Sequence, residues 1–290
     1  MTNVLPENEE AQRAWDGVLF ERFVQFRHLL VAGLAQHGAV AMRRFPPPPG
    51  GRVVDIGCGF GDSTMQLAEL VGDAGAALGV DISPRFVDAA RAEAAELGIA
   101  NARFEVMDVQ ASRFDEEFDY AFSRFGTMFF ASPVAALRNV RAALADGGRL
   151  VMVVWRRRED NPWMHVAEQV VKPLVEVPEE SDEARCGPGP FSMAGADTLS
   201  AQLKAAGFDE ISFLRVDLPF TLGTTLDEAI DANLALGPAA EVVRLAGEEG
   251  EAMKPMLRDL LRPALEPFAT ERGVVAPSSV WVVSAVTSTS

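Results

Sequence analysis

The chain has 290 residues, of which 48% are hydrophobic and 23% are charged, and its formal net charge is −16 at pH 7. This length is enough for a full α/β core with an added layer or lid. The negative charge argues against a nucleic-acid partner and against an anionic membrane surface, because both are bound mainly through Lys and Arg.

The cysteines and the N-terminus indicate the compartment. Cys58 and Cys186 cannot build a disulfide framework, and together with three dispersed histidines they form no metal-ligand cluster. Residues 1–10 are acidic and polar, unlike a signal peptide, and no run of 18 apolar residues predicts a membrane span. We therefore expect a cytoplasmic protein with no metal and no membrane insertion.

The N-terminal region is predicted to be a helical extension. Apolar residues recur close to helical spacing within residues 8–44, and the proline-rich residues 45–51 form a stiff linker and turn. The extension, residues 1–50, is therefore separate from the core at residues 51–290. Most of its apolar face is expected to pack on the core and part to cover a ligand site. The same face could be a dimer contact, so a monomer and a homodimer both stay open.

The stretch VVDIGCGFGDST, residues 53–64, predicts a buried strand, a glycine turn and a helix start. Asp62 and Ser63 can each cap that helix. The dinucleotide fingerprint G-x-G-x-x-G would need a third glycine at the position of Asp62. Because Asp55 also stands at the mouth of the turn, the stretch favours a cationic ligand over a pyrophosphate.

The rest of the chain predicts an α/β core followed by insertions. Strands alternate with helices as far as Trp155, which implies a parallel sheet. The predicted strands are 52–56, 77–81, 102–107, 117–123 and 150–155, followed by two more at 208–222 and 279–287. Between and after them we predict helices at 161–177, 196–206 and 226–272 and a loop at 178–195.

The glycine turn resembles the first motif of the class I S-adenosylmethionine-dependent methyltransferases. The stretch SRFGTMFFASPVAALRNVRAALADGGRLVMVVW resembles their small-molecule branch, which includes ubiquinone- and menaquinone-type methyltransferases, although Asp146 stands where that branch often has proline. The resemblance covers residues 52–155 well and the rest loosely. It implies a Rossmann-like, doubly wound seven-stranded sheet of order 3-2-1-4-5-7-6 with the last strand antiparallel. It also implies helical lid insertions at about 158–195 and 224–275.

Ligands of an open α/β sheet bind at the C-terminal ends of its strands. Asp81 ends the second strand and suits the ribose hydroxyls, and Ile82 could pack on the adenine. By the resemblance, Asp108 and Val109 bind the adenine, and the end of the fourth strand lines the methionine part of the cofactor and the acceptor. The predicted cofactor-binding residues are Asp55, Gly57, Cys58, Gly59, Gly61, Ser63, Asp81, Ile82, Asp108, Val109 and Ser123.

The acceptor pocket is expected to be apolar and aromatic, since aromatic faces suit a flat acceptor and attract a sulfonium. Its predicted residues are Phe26, Arg124, Phe125, Met128, Phe129, Trp155 and Trp163. A general base is needed if the nucleophile carries a proton. His165 is the first candidate because it follows the fifth strand, His28 is the second, and Glu168 could share a helix face with His165.

These features predict an enzyme that uses S-adenosylmethionine, releases S-adenosylhomocysteine and methylates carbon or oxygen of a largely apolar or aromatic small molecule. Two other classes stay open. An NAD(P)-dependent oxidoreductase would have a similar sheet, but the missing third glycine, Asp55 and the segment at the fourth strand speak against it. A non-catalytic cofactor-binding protein is disfavoured by the intact turn and the three acids Asp55, Asp81 and Asp108.

Overall fold

The computed structural model describes residues 4–178 and 183–288, so residues 1–3 of the predicted extension, 179–182 of the predicted loop and 289–290 lie outside it. Within the described residues one sheet is formed by β1 (Arg52–Ile56), β2 (Ala76–Asp81), β3 (Ala102–Val106), β4 (Phe118–Arg124), β5 (Leu144–Trp155), β6 (Phe208–Gly223), β7 (Ala269–Thr270) and β8 (Gly273–Thr287).

The sheet has the order β3-β2-β1-β4-β5-β8-β6, with β7 paired to β8. Strands β1 to β5 are parallel, and β8 runs antiparallel to both β5 and β6. The predicted order, with an antiparallel last strand between the fifth and sixth, is therefore confirmed. All seven predicted strands are present, and the sheet has one further short strand beside them. A tight turn after Thr270, whose hydroxyl donates to the carbonyl of Gly273, adds the two-residue strand β7.

The helices flank this sheet. They are α1 (Pro6–Ala14), α2 (Phe20–Gln25), α3 (Arg27–Arg44), α4 (Asp62–Val71), α5 (Pro84–Glu96), α6 (Pro133–Ala143), α7 (Pro162–Val171), α8 (Ala196–Ala206), α9 (Leu226–Ala235), α10 (Pro238–Leu245) and α11 (Gly247–Leu265). A π-helical turn, Trp15–Leu19, joins α1 to α2 and breaks regular backbone geometry at Gly17. Short 3₁₀ turns lie at Thr127–Phe129, Arg158–Asp160 and Glu266–Phe268.

Several predicted bounds need correction. Helix α7 ends at Val171 rather than at residue 177, because Pro173 cannot continue a helix. The predicted helical stretch 226–272 is three helices, and its first break falls at Gly237, which has a φ of 85°. Strand β5 begins at Leu144 and β8 at Gly273, so each starts six residues earlier than the prediction.

The segments outside the core strands pack over one end of the sheet. Helix α3 lies on β5 and β6. Helices α9, α10 and α11 pack on one another, and α10 and α11 also pack on α7. Helices α1 to α3, α7, α9 and α10 all contribute side chains to the wall of one cavity. In the described part of the chain, no helix is both long and apolar enough to cross a membrane.

Candidate functional site

A cavity of about 660 Å³ lies at the C-terminal ends of β1 to β5. This volume falls within the usual range for small-molecule sites. The strand ends supply one side of its wall, and helices together with the loop from Arg185 to Ser192 supply the other. The position agrees with the general rule for ligands of open α/β sheets.

The glycine turn is held tightly between its neighbours. The backbone N–H groups of Gly57 and Cys58 both donate to the carbonyl of Val80, at 2.8 and 3.0 Å. Gly57 has a φ of 69°, and a Cβ on it would lie 2.8 Å from the Cα of Gly126. Glycine is therefore needed at position 57, because the turn after β1 and the turn after β4 touch through their backbones.

Four of the six residues predicted from the turn line the cavity, namely Gly57, Cys58, Gly59 and Ser63. Asp55 does not line it. Its carboxylate is fully buried and accepts hydrogen bonds from the hydroxyls of Ser63 and Thr64, at 2.6 and 2.7 Å. Desolvation raises the pKa of Asp55 despite these two bonds. Asp55 therefore braces the start of α4 from behind the wall, which corrects the expectation that it faces the ligand.

Three further predictions are revised by these contacts. Neither Asp62 nor Ser63 caps α4, since the N-cap residue is Gly61 and the hydroxyl of Ser63 is directed to Asp55. Gly61 does not line the cavity, and Ser123 donates its hydroxyl hydrogen to the carbonyl of Ile56 at 2.7 Å, behind the turn. Gly61 and Ser123 therefore shape the turn without facing the cavity.

The acids after β2 and β3 both line the cavity. Asp81 accepts from the backbone N–H of Gly59 at 2.9 Å and from that of Ser83 at 3.0 Å, and desolvation raises its pKa. Asp108 accepts from the backbone N–H of Gln110 at 3.0 Å. A carboxylate has about four acceptor positions, so Asp81 keeps capacity for two hydroxyl groups of a ligand. The neighbouring residues Ile82 and Val109 also line the cavity.

The N-terminal segment is fastened to these same strand ends. Asn8 donates from Nδ2 to Oδ2 of Asp108 at 2.7 Å, and Gln12 donates to the carbonyl of Ile82 at 2.9 Å. Asp16 accepts from the hydroxyl of Ser83 at 2.7 Å and from the backbone N–H of Arg85 at 2.8 Å. Sequence reasoning missed this role of Asn8, Gln12 and Asp16, although their spacing of four residues was a usable signal for one helix face.

All seven residues predicted for the acceptor pocket line the cavity: Phe26, Arg124, Phe125, Met128, Phe129, Trp155 and Trp163. Phe125 has a φ of 63°, an unusual conformation for a bulky side chain. Its ring stacks on Trp155 at a centroid distance of 4.4 Å. Trp163 stacks on Phe220 at 4.9 Å with an interplanar angle of 5°, and Phe220 is a wall residue that the sequence did not reveal. Both pairs of stacked rings therefore line the same cavity.

The histidines predicted as bases lie elsewhere. His28 is exposed, its Nε2 is 2.8 Å from Oε1 of Glu228, and it does not line the cavity. His165 is half-buried and also lies outside the wall. Glu168 does line the cavity, but its carboxylate is 2.8 Å from the guanidinium of Arg158. The expected base role of the two histidines therefore disagrees with their positions, and Glu168 is already paired.

Residues 4–178 and 183–288 contain no metal-ligand cluster. No group of three or more His, Cys, Asp or Glu side chains there could hold a metal ion.

Comparison with known proteins shows what the chain is similar to. Residues 48–185 match a family described as a methyltransferase domain. The chain is 38% identical over 105 residues to aklanonic acid methyltransferase DauC from a Streptomyces species, covering 36% of this chain and 48% of that protein. It is 36% identical over 106 residues to the ubiquinone/menaquinone biosynthesis C-methyltransferase UbiE of Azotobacter vinelandii, covering 36% and 42%.

These matches span about half the length, or less, of the two curated relatives. Among solved structures, phosphoethanolamine N-methyltransferase 2 of Haemonchus contortus has a TM-score of 0.56 at 16% identity, covering 98% of this chain and 61% of that chain. This likeness shows the fold. The resemblance drawn from the sequence is therefore confirmed for residues 48–185, and the chain has a Rossmann-like methyltransferase fold.

Proposed function

We propose that the chain transfers a methyl group from S-adenosylmethionine to a small, largely apolar or aromatic acceptor and releases S-adenosylhomocysteine. One observation carries this proposal: a single cavity is lined both by the glycine turn with Asp81 and Asp108 and by the stacked aromatic rings. The relatives named as small-molecule methyltransferases support the same activity. An oxidoreductase has no comparable support.

The residues present fit the cofactor. A Cβ on Gly59 would meet only the ring of Phe86, at 3.9 Å, so the glycine leaves open space along the turn. In this proposal Asp81 accepts from the ribose hydroxyls and Asp108 from the adenine amino group. Asp108 already accepts three hydrogen bonds, two of them from Leu5 and Asn8, which leaves one acceptor position. The uncapped N–H groups at the start of α4 face the amino-acid part.

The cofactor supplies a methyl group activated by the positive sulfur. This chain has to align the acceptor with that methyl and keep water out. Orientation of two reactants is worth roughly 7–11 kcal/mol of barrier. The paired rings of Phe125 with Trp155 and of Trp163 with Phe220 hold a flat acceptor, and their faces attract the sulfonium. Since His28 and His165 lie outside the wall, neither is assigned a proton transfer here.

Thermal unfolding with S-adenosylhomocysteine, S-adenosylmethionine and NAD tests the proposal. A ligand at about 100 times its dissociation constant stabilises a fold by roughly 2.7 kcal/mol. We expect a stabilising shift with both adenosyl compounds, none with NAD, and a much smaller adenosyl shift in Asp81→Asn. Asp88→Asn, an exposed acid on α5, is the control and keeps the full shift. A shift with NAD alone would contradict the proposal and favour the oxidoreductase.

Other parts of the sequence prediction stay predictions. They are the division into residues 1–50 and 51–290, the lid role of the insertions, a cytoplasmic location, the independence from metal, the lack of a nucleic-acid partner and a monomeric or homodimeric state. Activity measured with and without a chelator, and the mass of the protein in solution, would test the metal and the oligomeric state.

A further inference from the structure

Arg124 is a buried cation in the cavity wall without a close partner. Its side chain is 10% exposed, and the nearest carboxylate oxygen in the described chain, Oδ2 of Asp62, is 3.9 Å from Nη2. Among the described residues, no hydrogen bond reaches the guanidinium group. Asp62 is itself shared with Arg27, whose Nη2 is 3.5 Å from Oδ1. Arg124 thus lines the cavity, and no hydrogen bond within the described residues uses its guanidinium donors.

The position of Arg124 is fixed by packing. A Cβ on Gly38 of α3 would lie 3.1 Å from Cδ of Arg124, so the helix backbone passes directly against the side chain. A buried charge without hydrogen bonds is costly, whereas a guanidinium and a carboxylate form two parallel charge-assisted bonds. Arg124 is therefore suited to bind an anionic, planar group that enters the cavity.

The acidic side chains of the wall are already engaged. Glu168 pairs with Arg158, and Glu241 accepts from Arg244 at 2.8 and 3.0 Å. Asp81 and Asp108 accept from backbone N–H groups, and no histidine lines the cavity. An acceptor that must lose a proton would find no free base among these groups. An acceptor that is already an anion at neutral pH needs none.

We propose that the acceptor is an aromatic or otherwise apolar carboxylic acid, bound as its carboxylate by Arg124 and methylated on oxygen. This inference rests on the proposed function. One carboxylate oxygen stays on the guanidinium, and the other forms the new O–CH₃ bond. The C–S bond breaks with its electron pair going to sulfur. The products are a neutral methyl ester and the neutral thioether S-adenosylhomocysteine, and no proton is released.

The apolar wall favours such a step. A carboxylate and a sulfonium approach each other and both charges disappear in the products. In a site with few water molecules this loss of charge is favourable, because less solvation has to be given up as the reaction proceeds. Phe125 follows Arg124 in the chain, and its ring stacks on that of Trp155 at the end of β5. In this proposal the two rings hold the apolar body of the acid.

The test uses matched acids and amides on the protein saturated with S-adenosylhomocysteine. Benzoate, naphthoate and anthracene carboxylate are compared with benzamide, naphthamide and the anthracene amide by calorimetry. We expect at least one acid to bind roughly tenfold more tightly than its amide, as for a charged hydrogen-bonded pair. Arg124→Gln should reduce that preference to about twofold or less. Arg158→Gln removes the same charge from the same wall but from an existing ion pair, and should keep the preference.

A second arm asks whether the carboxylate that Arg124 holds belongs to the cofactor. S-adenosylhomocysteine and its decarboxylated analogue are bound to the wild type and to Arg124→Gln. We expect the variant to bind both compounds as the wild type does. A roughly tenfold loss for S-adenosylhomocysteine alone assigns Arg124 to the cofactor and overturns the inference.

The outcomes are separable from those of the proposed function. If S-adenosylhomocysteine does not bind the wild type, the proposed function fails. If it binds but the wild type prefers no acid over its amide, or binds no acid of the series, the inference on the acceptor is wrong. This comparison needs only the wild type, so it stands even if Arg124→Gln does not fold. Formation of the methyl ester of a bound acid, without proton release, would complete the support.

Discussion

At the scale of single residues, His37 connects the aromatic rings of the cavity wall to the core. Its side chain is fully buried on α3 and its ring meets those of Phe125 and Trp155 edge-on, at 6.0 and 5.7 Å. Nδ1 lies 3.1 Å from the carbonyl oxygen of Gly33, and Nε2 lies 3.0 Å from the hydroxyl oxygen of Ser278, which donates its own hydrogen to the carbonyl of Leu218. His37 therefore supports the rings from behind without lining the cavity.

This burial predicts a pH-dependent stability. Desolvation lowers the pKa of His37 to about 4, with a smaller contribution from the nearby charge of Arg124. The folded state disfavours protonation of His37. The contribution of its neutral ring to stability is therefore complete above pH 6.5 and is lost as the pH falls toward 4. We expect the wild type to lose about 2 kcal/mol relative to His37→Gln between pH 6.5 and pH 5. Denaturant unfolding measures this difference.

The control for that experiment is His28→Gln, because His28 is exposed and bonded to Glu228 at the surface. Its stability should follow that of the wild type through the same pH range. Parallel pH curves for the wild type and His37→Gln would contradict the buried neutral ring.

At the scale of elements, α1 is attached to the sheet by polar contacts at the strand ends. Asn8 and Gln12 lie on α1, and Asp16 follows in the π-helical turn, so one face of the segment reaches Asp108, the carbonyl of Ile82 and Ser83. In the proposed function, these groups or the residues next to them bind the adenosine part of the cofactor. Opening of this segment and release of the cofactor should therefore be linked.

Asn8→Ala tests this link. A hydrogen bond to a charged group contributes about 1.5–3 kcal/mol, so its loss should raise the frequency of opening by roughly tenfold or more. Hydrogen exchange should become faster in residues 4–16 and S-adenosylhomocysteine should dissociate faster. Glu9→Ala, an exposed position on the same helix, should change neither rate. Unchanged exchange in Asn8→Ala would show that the contact with Asp108 does not hold the segment.

The helical phase of α7 explains why the general-base prediction and the structure differ. Successive residues of a helix point about 100° apart, so residues spaced by four share a face. Met164 and Glu168 both line the cavity, whereas His165, the next residue after Met164, does not. The sequence showed that His165 and Glu168 could be neighbours, but the direction of α7 depends on its packing against α10 and α11.

At the scale of the whole molecule, the sequence predicted those features that are local or repeated. Two such features are the alternation of strands and helices as far as Trp155 and the glycine turn. Each depends on short stretches of sequence, and the structure has both. The contacts of Asn8 with Asp108 join residues 100 positions apart, and no local pattern encodes such a pair. The inward direction of Asp55, beneath α4, likewise depends on how the helix start folds back on the strand. Phe125 and Trp155 of the cavity wall were predicted because they lie at the ends of β4 and β5.

The last strand, β8, joins the parallel strands β1 to β5 to strand β6, so it determines whether these two halves of the sheet form one unit. Val282 is fully buried in β8 and pairs with Val153 of β5 and Leu214 of β6. Val282→Asp would bury an unpaired charge at this junction, and we expect a loss of more than about 4 kcal/mol, enough to prevent folding. Circular dichroism and thermal unfolding would measure it.

Val275→Asp is the matched control, since this residue lies on the same strand but is only half-buried. It should fold, with a loss on the order of 1 kcal/mol. If Val282→Asp folds as well as Val275→Asp, then β5 and β6 do not depend on β8 for their association. The parallel half with its glycine turn would then be stable without the antiparallel edge, although the aromatic wall draws Phe220 from β6 and Trp155 from β5. We expect the opposite, because a cavity shared by both halves requires that they fold together.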